Sequence, residues 1–161
     1  MAVPSNLYGH DLAAMAEAVT ERTRVIFVAN PNNPTGAVYP RSTVETILEE
    51  CAYRGIQVYA DEVYDHLIFY DDDFASVLNC SMDLDNIMCI SSFSKTYSMA
   101  GLRVGYGIGH ADFVAALEKI RQPFNLNALA QAAALAALED DDHDHEEEDH
   151  DDHDDHDEEH E

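Results

Sequence analysis

The sequence predicts an α/β fold: a mostly parallel sheet flanked by helices. Three observations carry this. Four short apolar runs, at 24–31, 56–64, 86–95 and 102–109, have the length of buried strands. Helix-period segments alternate with them, as in strand–helix–strand units. A polar cluster follows or ends each of the first three runs: NPNNPTG at 30–36, DEVY at 61–64 and SFSK at 92–95. In open α/β sheets ligands bind beyond the carboxyl ends of the strands. Three clusters far apart in sequence are therefore expected to converge on one rim.

Each element has a local reason. GHDLAAMAEAVTERT (9–23) sets Leu12, Met15 and Val19 at helical spacing. RVIFVANP is a continuous apolar run stopped by Asn-Pro. PRSTVETILEECAYRG (40–55) has Pro40 near a helix start, a stripe of Val44, Ile47, Leu48 and Cys51, and Gly55 as a stop. IQVYADEVY is a second strand that ends in charge, NIMCISSFSK a third and LRVGYGIG a fourth. HADFVAALEKIRQ and NALAQAAALAALED complete the pattern as helices. There is no internal repeat and no P-loop, and GYGIGHAD does not fit the dinucleotide pattern G-x-G-x-x-G.

Composition divides the 161 residues in two. From Glu139 to Glu161 every residue is Asp, Glu or His; this stretch holds 17 of the 33 acids and 6 of the 9 histidines. Such a run cannot bury apolar surface, so disorder is expected beyond a turn or more of continued helix. Clustered His and carboxylates can ligate Zn²⁺ or Ni²⁺. A solvated run is the plainer reading, and no metal site is assigned. The body from Met1 to Leu138 is itself acidic, with 16 acids against 8 bases, which argues against nucleic acid as a partner. No apolar run approaches the ~20 residues needed to span a bilayer. Cys51, Cys80 and Cys89 show no CxxC spacing and no signal peptide precedes them, so a reducing cytoplasm is expected.

The chemistry centres on Lys95, one of only two lysines. Taken singly it is an ordinary surface lysine. Yet it ends an apolar strand and is followed by TYSMAGLRVGY, a setting where a desolvated amine with a lowered pKa could attack a carbonyl. Ser92, Ser94 and Thr96 flank it, and Arg103 lies eight residues on. Hydroxyls and a guanidinium suit a phosphate. An amine beside a phosphate cradle suggests a phosphorylated aldehyde held as a Schiff base, for which pyridoxal 5′-phosphate is the natural candidate. That cofactor also needs an anion at its pyridine nitrogen and donors at its ring hydroxyl. Asp61 and Tyr64 in DEVY, and Asn33 in NPNNPTG, are the available groups.

With NPNNPTG, DEVY, SFSK and GLRVGY in this order over residues 24–109, the chain resembles the large domain of the fold-type I class I and II aminotransferases. The resemblance implies these roles. Lys95 forms the Schiff base with the cofactor and later moves a proton. Asp61 pairs with the pyridinium. Tyr64 and Asn33 bond the ring oxygen. Arg103, Ser92 and Ser94 hold the phosphate. It also allows a cis Asn33–Pro34 bond. The flanks LYGHDLAAM, AVTERTRVIFVANPNNPTG and RQPFNLN are similar to histidinol-phosphate aminotransferase, which implies amino transfer between histidinol phosphate and 2-oxoglutarate in histidine biosynthesis. DEVYDHLIFYDDDF and SKTYSMAGLR equally suit aspartate or aromatic aminotransferases. A lyase or decarboxylase would share every cofactor residue, and a non-catalytic acidic metal-binding fragment is the alternative of another class.

Family members run to roughly twice this length and act as homodimers on amino acids and 2-oxo acids. Residues 1–138 therefore read as a partial large domain and 139–161 as an acidic, His-rich low-complexity tail. The second phosphate loop, the ring-stacking group and the arginine that grips the substrate carboxylate have no counterpart here. The fragment alone is expected to be inactive or very weak.

Overall fold

The structure, a computed structural model, describes residues 5–6, 9–68, 74–80 and 85–148, with the backbone alone at 5–10 and 141–148. Two compact units divide the chain, Met1–Asn125 and Leu126–Glu161.

The first unit carries a short antiparallel pair, β1 (Ser5–Asn6) with β2 (Gly9–His10), and a four-stranded sheet. The sheet runs in the order β3 (Val25–Ala29), β4 (Gln57–Asp61), β5 (Ile87–Ser92), β6 (Gly105–Gly109). The two pairings among β3, β4 and β5 are parallel, and β6 runs antiparallel to β5. The sheet is mixed, and mostly parallel as expected. All four strands fall within the apolar runs. Register sets Val28 beside Ala60 and Ala60 beside Cys89, so these three share one face.

Helices cover that face. α1 (Leu12–Ala18) starts at Asp11, whose side chain accepts from the Ala14 N–H at 3.0 Å. α2 (Arg41–Arg54) follows Pro40 and stops at Gly55, whose left-handed backbone (φ 65°) lets the Ile56 N–H reach back to the Cys51 carbonyl at 2.8 Å. The expected stripe of Val44, Ile47, Leu48 and Cys51 is buried. It packs with Val28, Val58, Ala60, Ile87 and Cys89, and with Val77 of α3 (Val77–Cys80), a short helix without a sequence signal. On the opposite face lies α4 (Ala111–Ile120), where the Phe113 ring meets Tyr59 edge-on at 5.7 Å.

In the second unit α5 (Ala128–Glu148) begins where the Asn127 side chain accepts from the Ala130 N–H at 2.9 Å. Its backbone passes without a break through the compositional boundary at Leu138. The expectation for 149–161 lies outside the described residues. Among the described residues no helix is long and apolar enough to cross a membrane, and no cluster of potential metal ligands is present.

Candidate active site

Three loops leave the carboxyl ends of β3, β4 and β5, and each is held by its own backbone. After β3, the Asn32 N–H bonds the Ala37 carbonyl at 2.8 Å and Gly36 bonds back to Asn32 at 2.7 Å, which leaves Asn33 exposed at the tip. The Asn30–Pro31 and Asn33–Pro34 bonds are both cis. After β4, the Asp65 N–H closes on the Glu62 carbonyl at 3.1 Å. After β5, Phe93 is buried and meets the Tyr97 and Tyr106 rings at 5.0 and 5.8 Å, an anchor that turns Ser94 and Lys95 onto the rim.

The structure brings Asn33, Tyr64 and Lys95 together. The Asn33 side-chain amide donates to the Tyr64 hydroxyl at 3.4 Å, and the Lys95 ammonium stands 5.2 Å from the centre of the Tyr64 ring. Asp61, the last residue of β4, pairs in register with Ile90 and accepts from the Val63 N–H at 3.3 Å. Ser92 and Ser94 bond each other through their hydroxyls at 2.9 Å. Arg103 precedes β6, whose first residue pairs with Ser92, so the guanidinium belongs to the same end of the sheet. Its Nη1 donates to the Ala100 carbonyl at 2.8 Å. Its backbone is left-handed (φ 56°), which costs a side-chain-bearing residue about 1–2 kcal/mol. The neighbouring Val104 is buried and its carbonyl accepts from the Phe93 N–H and the Ser92 hydroxyl, which holds that conformation. Ser92, Ser94 and Arg103 line one open cleft between the sheet and α4, with Tyr59, Ile90 and Phe113 on its walls.

One expectation is corrected. Lys95 is exposed rather than desolvated. The chain turns outward after β5, and the contact that covers the amine is the face of Tyr64 rather than an apolar wall.

The motifs assign no role to three further contributors, Tyr59, Phe113 and Glu62. Tyr59 and Phe113 form cleft walls through register and helix packing. Glu62 lies inside DEVY, and strand alternation after Asp61 would have turned it inward. It is 2% exposed, its carboxyl accepts from the Val77 N–H at 2.8 Å, and burial pushes its pKa up. The Cys89 thiol donates to the same carboxyl at 3.4 Å and is itself pushed up, first by burial and then by Glu62. A buried thiol held protonated in this way is no nucleophile.

Known proteins align with this arrangement. The family model "Aminotransferase class I and II" matches residues 2–158. A histidinol-phosphate aminotransferase of Ralstonia nicotianae is 47% identical over 135 residues, which is 84% of this chain and 36% of that protein. An aromatic amino acid aminotransferase of Nocardia farcinica is 42% identical over 130 residues, covering 81% of this chain and 36% of that protein. The crystal structure of an aspartate aminotransferase from Thermotoga maritima superposes with a TM-score of 0.75 at 38% identity, over 81% of this chain and 35% of the other. The chain thus spans little more than a third of the length of these relatives, and within that span it belongs to the class I and II aminotransferase family.

Proposed function

We propose that this chain carries the cofactor-binding core of an aminotransferase that moves an amino group between histidinol phosphate and 2-oxoglutarate. The observation that supports this most is the contact chain from Asn33 through Tyr64 to Lys95 on the rim of the sheet, in a chain 47% identical to a histidinol-phosphate aminotransferase. Class I and II aminotransferases depend on pyridoxal phosphate. The donor set suits that group: one amine, one carboxylate, a bonded pair of hydroxyls and a guanidinium at the end of the sheet where the parallel strands β3, β4 and β5 finish.

In this reading Lys95 Nζ is the point of attachment and carries the proton to and from the substrate Cα. Asp61 holds a proton on the pyridine nitrogen. Asn33 and Tyr64 bond the ring oxygen. Ser92, Ser94 and Arg103 hold the phosphate. When bound, the cofactor supplies an electron-withdrawing ring that acidifies the Cα–H of an amino acid. The partners proposed for the whole protein are amino and 2-oxo acids and a second copy of the chain, and the compartment is the cytoplasm. Aromatic amino acids are a second substrate class, favoured by the 42% identity to the Nocardia aromatic aminotransferase.

The test uses the 161-residue chain. It is mixed with pyridoxal phosphate and reduced with borohydride, and the modified lysine is located by peptide mass. Attachment at Lys95 and not at Lys119, lost in Lys95→Ala, is expected. Equal labelling of both lysines defeats the cofactor reading. Glutamate formation from 2-oxoglutarate, with histidinol phosphate or with phenylalanine as donor, is expected to stay at the background of free pyridoxal phosphate in this chain. Turnover above it that vanishes in Lys95→Ala overturns that expectation, and its donor preference separates the two substrate classes.

A further inference from the structure

Among the described residues, three polar or charged side chains are buried, Asn30, Glu62 and Ser91, and all stand at the carboxyl ends of the parallel strands. Glu62 is the ionisable one, and it faces away from the cleft. Its contact with Cys89 puts its carboxyl on the helix-covered side of the sheet. Two elements converge on it, β5 and the start of α3. Its N–H donates to the Ile90 carbonyl at 2.9 Å. One carboxyl oxygen accepts from the Val77 N–H at 2.8 Å, at the start of α3. The other accepts from the Cys89 thiol at 3.4 Å, and the Ser76 side chain bonds the group as well. Burying a carboxyl is costly, and an apolar side chain would fill the same space without that cost. What the carboxyl adds is direction, because its bonds fix the end of β4 against two elements, β5 and α3. Asp61 is its immediate neighbour and Tyr64 is two residues on.

We propose that Glu62 is a positioning residue: through Val77 and Cys89 its carboxyl clamps the end of β4 and the turn that follows, which carry Asp61 and Tyr64, and so sets both groups without touching a ligand. This rests on the cofactor reading above for its consequence, though not for its geometry.

The test compares Glu62→Leu and Glu62→Gln with the unaltered chain, well below the unfolding temperature. Circular dichroism verifies the fold. The NMR resonance of the Asn33 side-chain amide, which contacts Tyr64, reports positioning without cofactor. Trapping of pyridoxal phosphate on Lys95 reports the consequence. The Leu variant is expected to shift the Asn33 resonance and weaken trapping about tenfold, while Gln, which keeps the acceptor for Val77, stays within about threefold. A folded Leu variant with an unshifted resonance and normal trapping overturns the proposal, since a purely stabilising role moves neither readout in folded protein. Should Leu prevent folding, Glu62→Asp decides by the same two readouts, because it draws the carboxyl back from Val77. An unaltered chain that fails to trap the cofactor on Lys95 counts against the cofactor reading alone. The Asn33 resonance then still decides the positioning claim.

Discussion

The Lys95 ammonium sits 5.2 Å from the centre of the Tyr64 ring, and the Tyr64 hydroxyl accepts from Asn33 at 3.4 Å. One aromatic side chain thus links groups 62 residues apart in sequence. The ring orients the amine, and an exposed pairing of this kind contributes about 0.5–1 kcal/mol. Tyr64→Phe keeps the ring and loses the hydroxyl, so trapping of pyridoxal phosphate on Lys95 should fall by a small factor. Tyr64→Ala removes both contacts and should cost about tenfold. Equal effects of the two variants would show that the ring contributes nothing.

Arg103 combines an exposed guanidinium with a left-handed backbone. Glycine adopts that backbone without strain but adds chain entropy of about 0.5–1 kcal/mol to the unfolded state. The relieved strain of about 1–2 kcal/mol is only partly offset, so Arg103→Gly should leave the urea midpoint unchanged or slightly raised. The same variant should lose the preference for pyridoxal phosphate over pyridoxal in the trapping experiment. A retained preference would remove Arg103 from the phosphate site.

Gly105 pairs with Ser92, and a Cβ there would stand 2.9 Å from the Ser91 carbonyl oxygen, a backbone atom that cannot turn aside. Gly105→Ala should force β6 away from β5 and destabilise by about 1–3 kcal/mol. At Gly107 the nearest atom is the Met88 sulfur at 3.0 Å, on a flexible side chain, so Gly107→Ala should cost less. Urea unfolding of the two variants checks the order.

Burial holds the pKa of Glu62 above its ordinary 4.5. The fold therefore favours the protonated form. Its contribution to stability is full below 4.5 and is lost as pH rises through the raised value. Glutamine does not titrate. The unfolding free energy of the unaltered chain minus that of Glu62→Gln should fall as pH rises from about 4.5 toward neutrality. Urea melts across that range measure it, and a difference that is flat or grows with pH would contradict the assignment.

The four strand runs, the limits of α2 and the order of the polar clusters were legible in the residues themselves. Pro40 and Gly55 act on their own backbone, and the stripe from Val44 to Cys51 repeats within a few turns, so signals of this range need no distant partner. The placement of the polar clusters at strand ends followed from the same local reading. Tertiary structure decided the rest. The reversed direction of β6 depends on pairing with β5, which residues 93–104 separate from it. The exposure of Lys95 depends on where Tyr64 stands, and the burial of Glu62 depends on Val77 and Cys89 arriving from other elements. Alternation along β4 tells which way Glu62 points; only the packing of remote segments supplies the donors that meet it there.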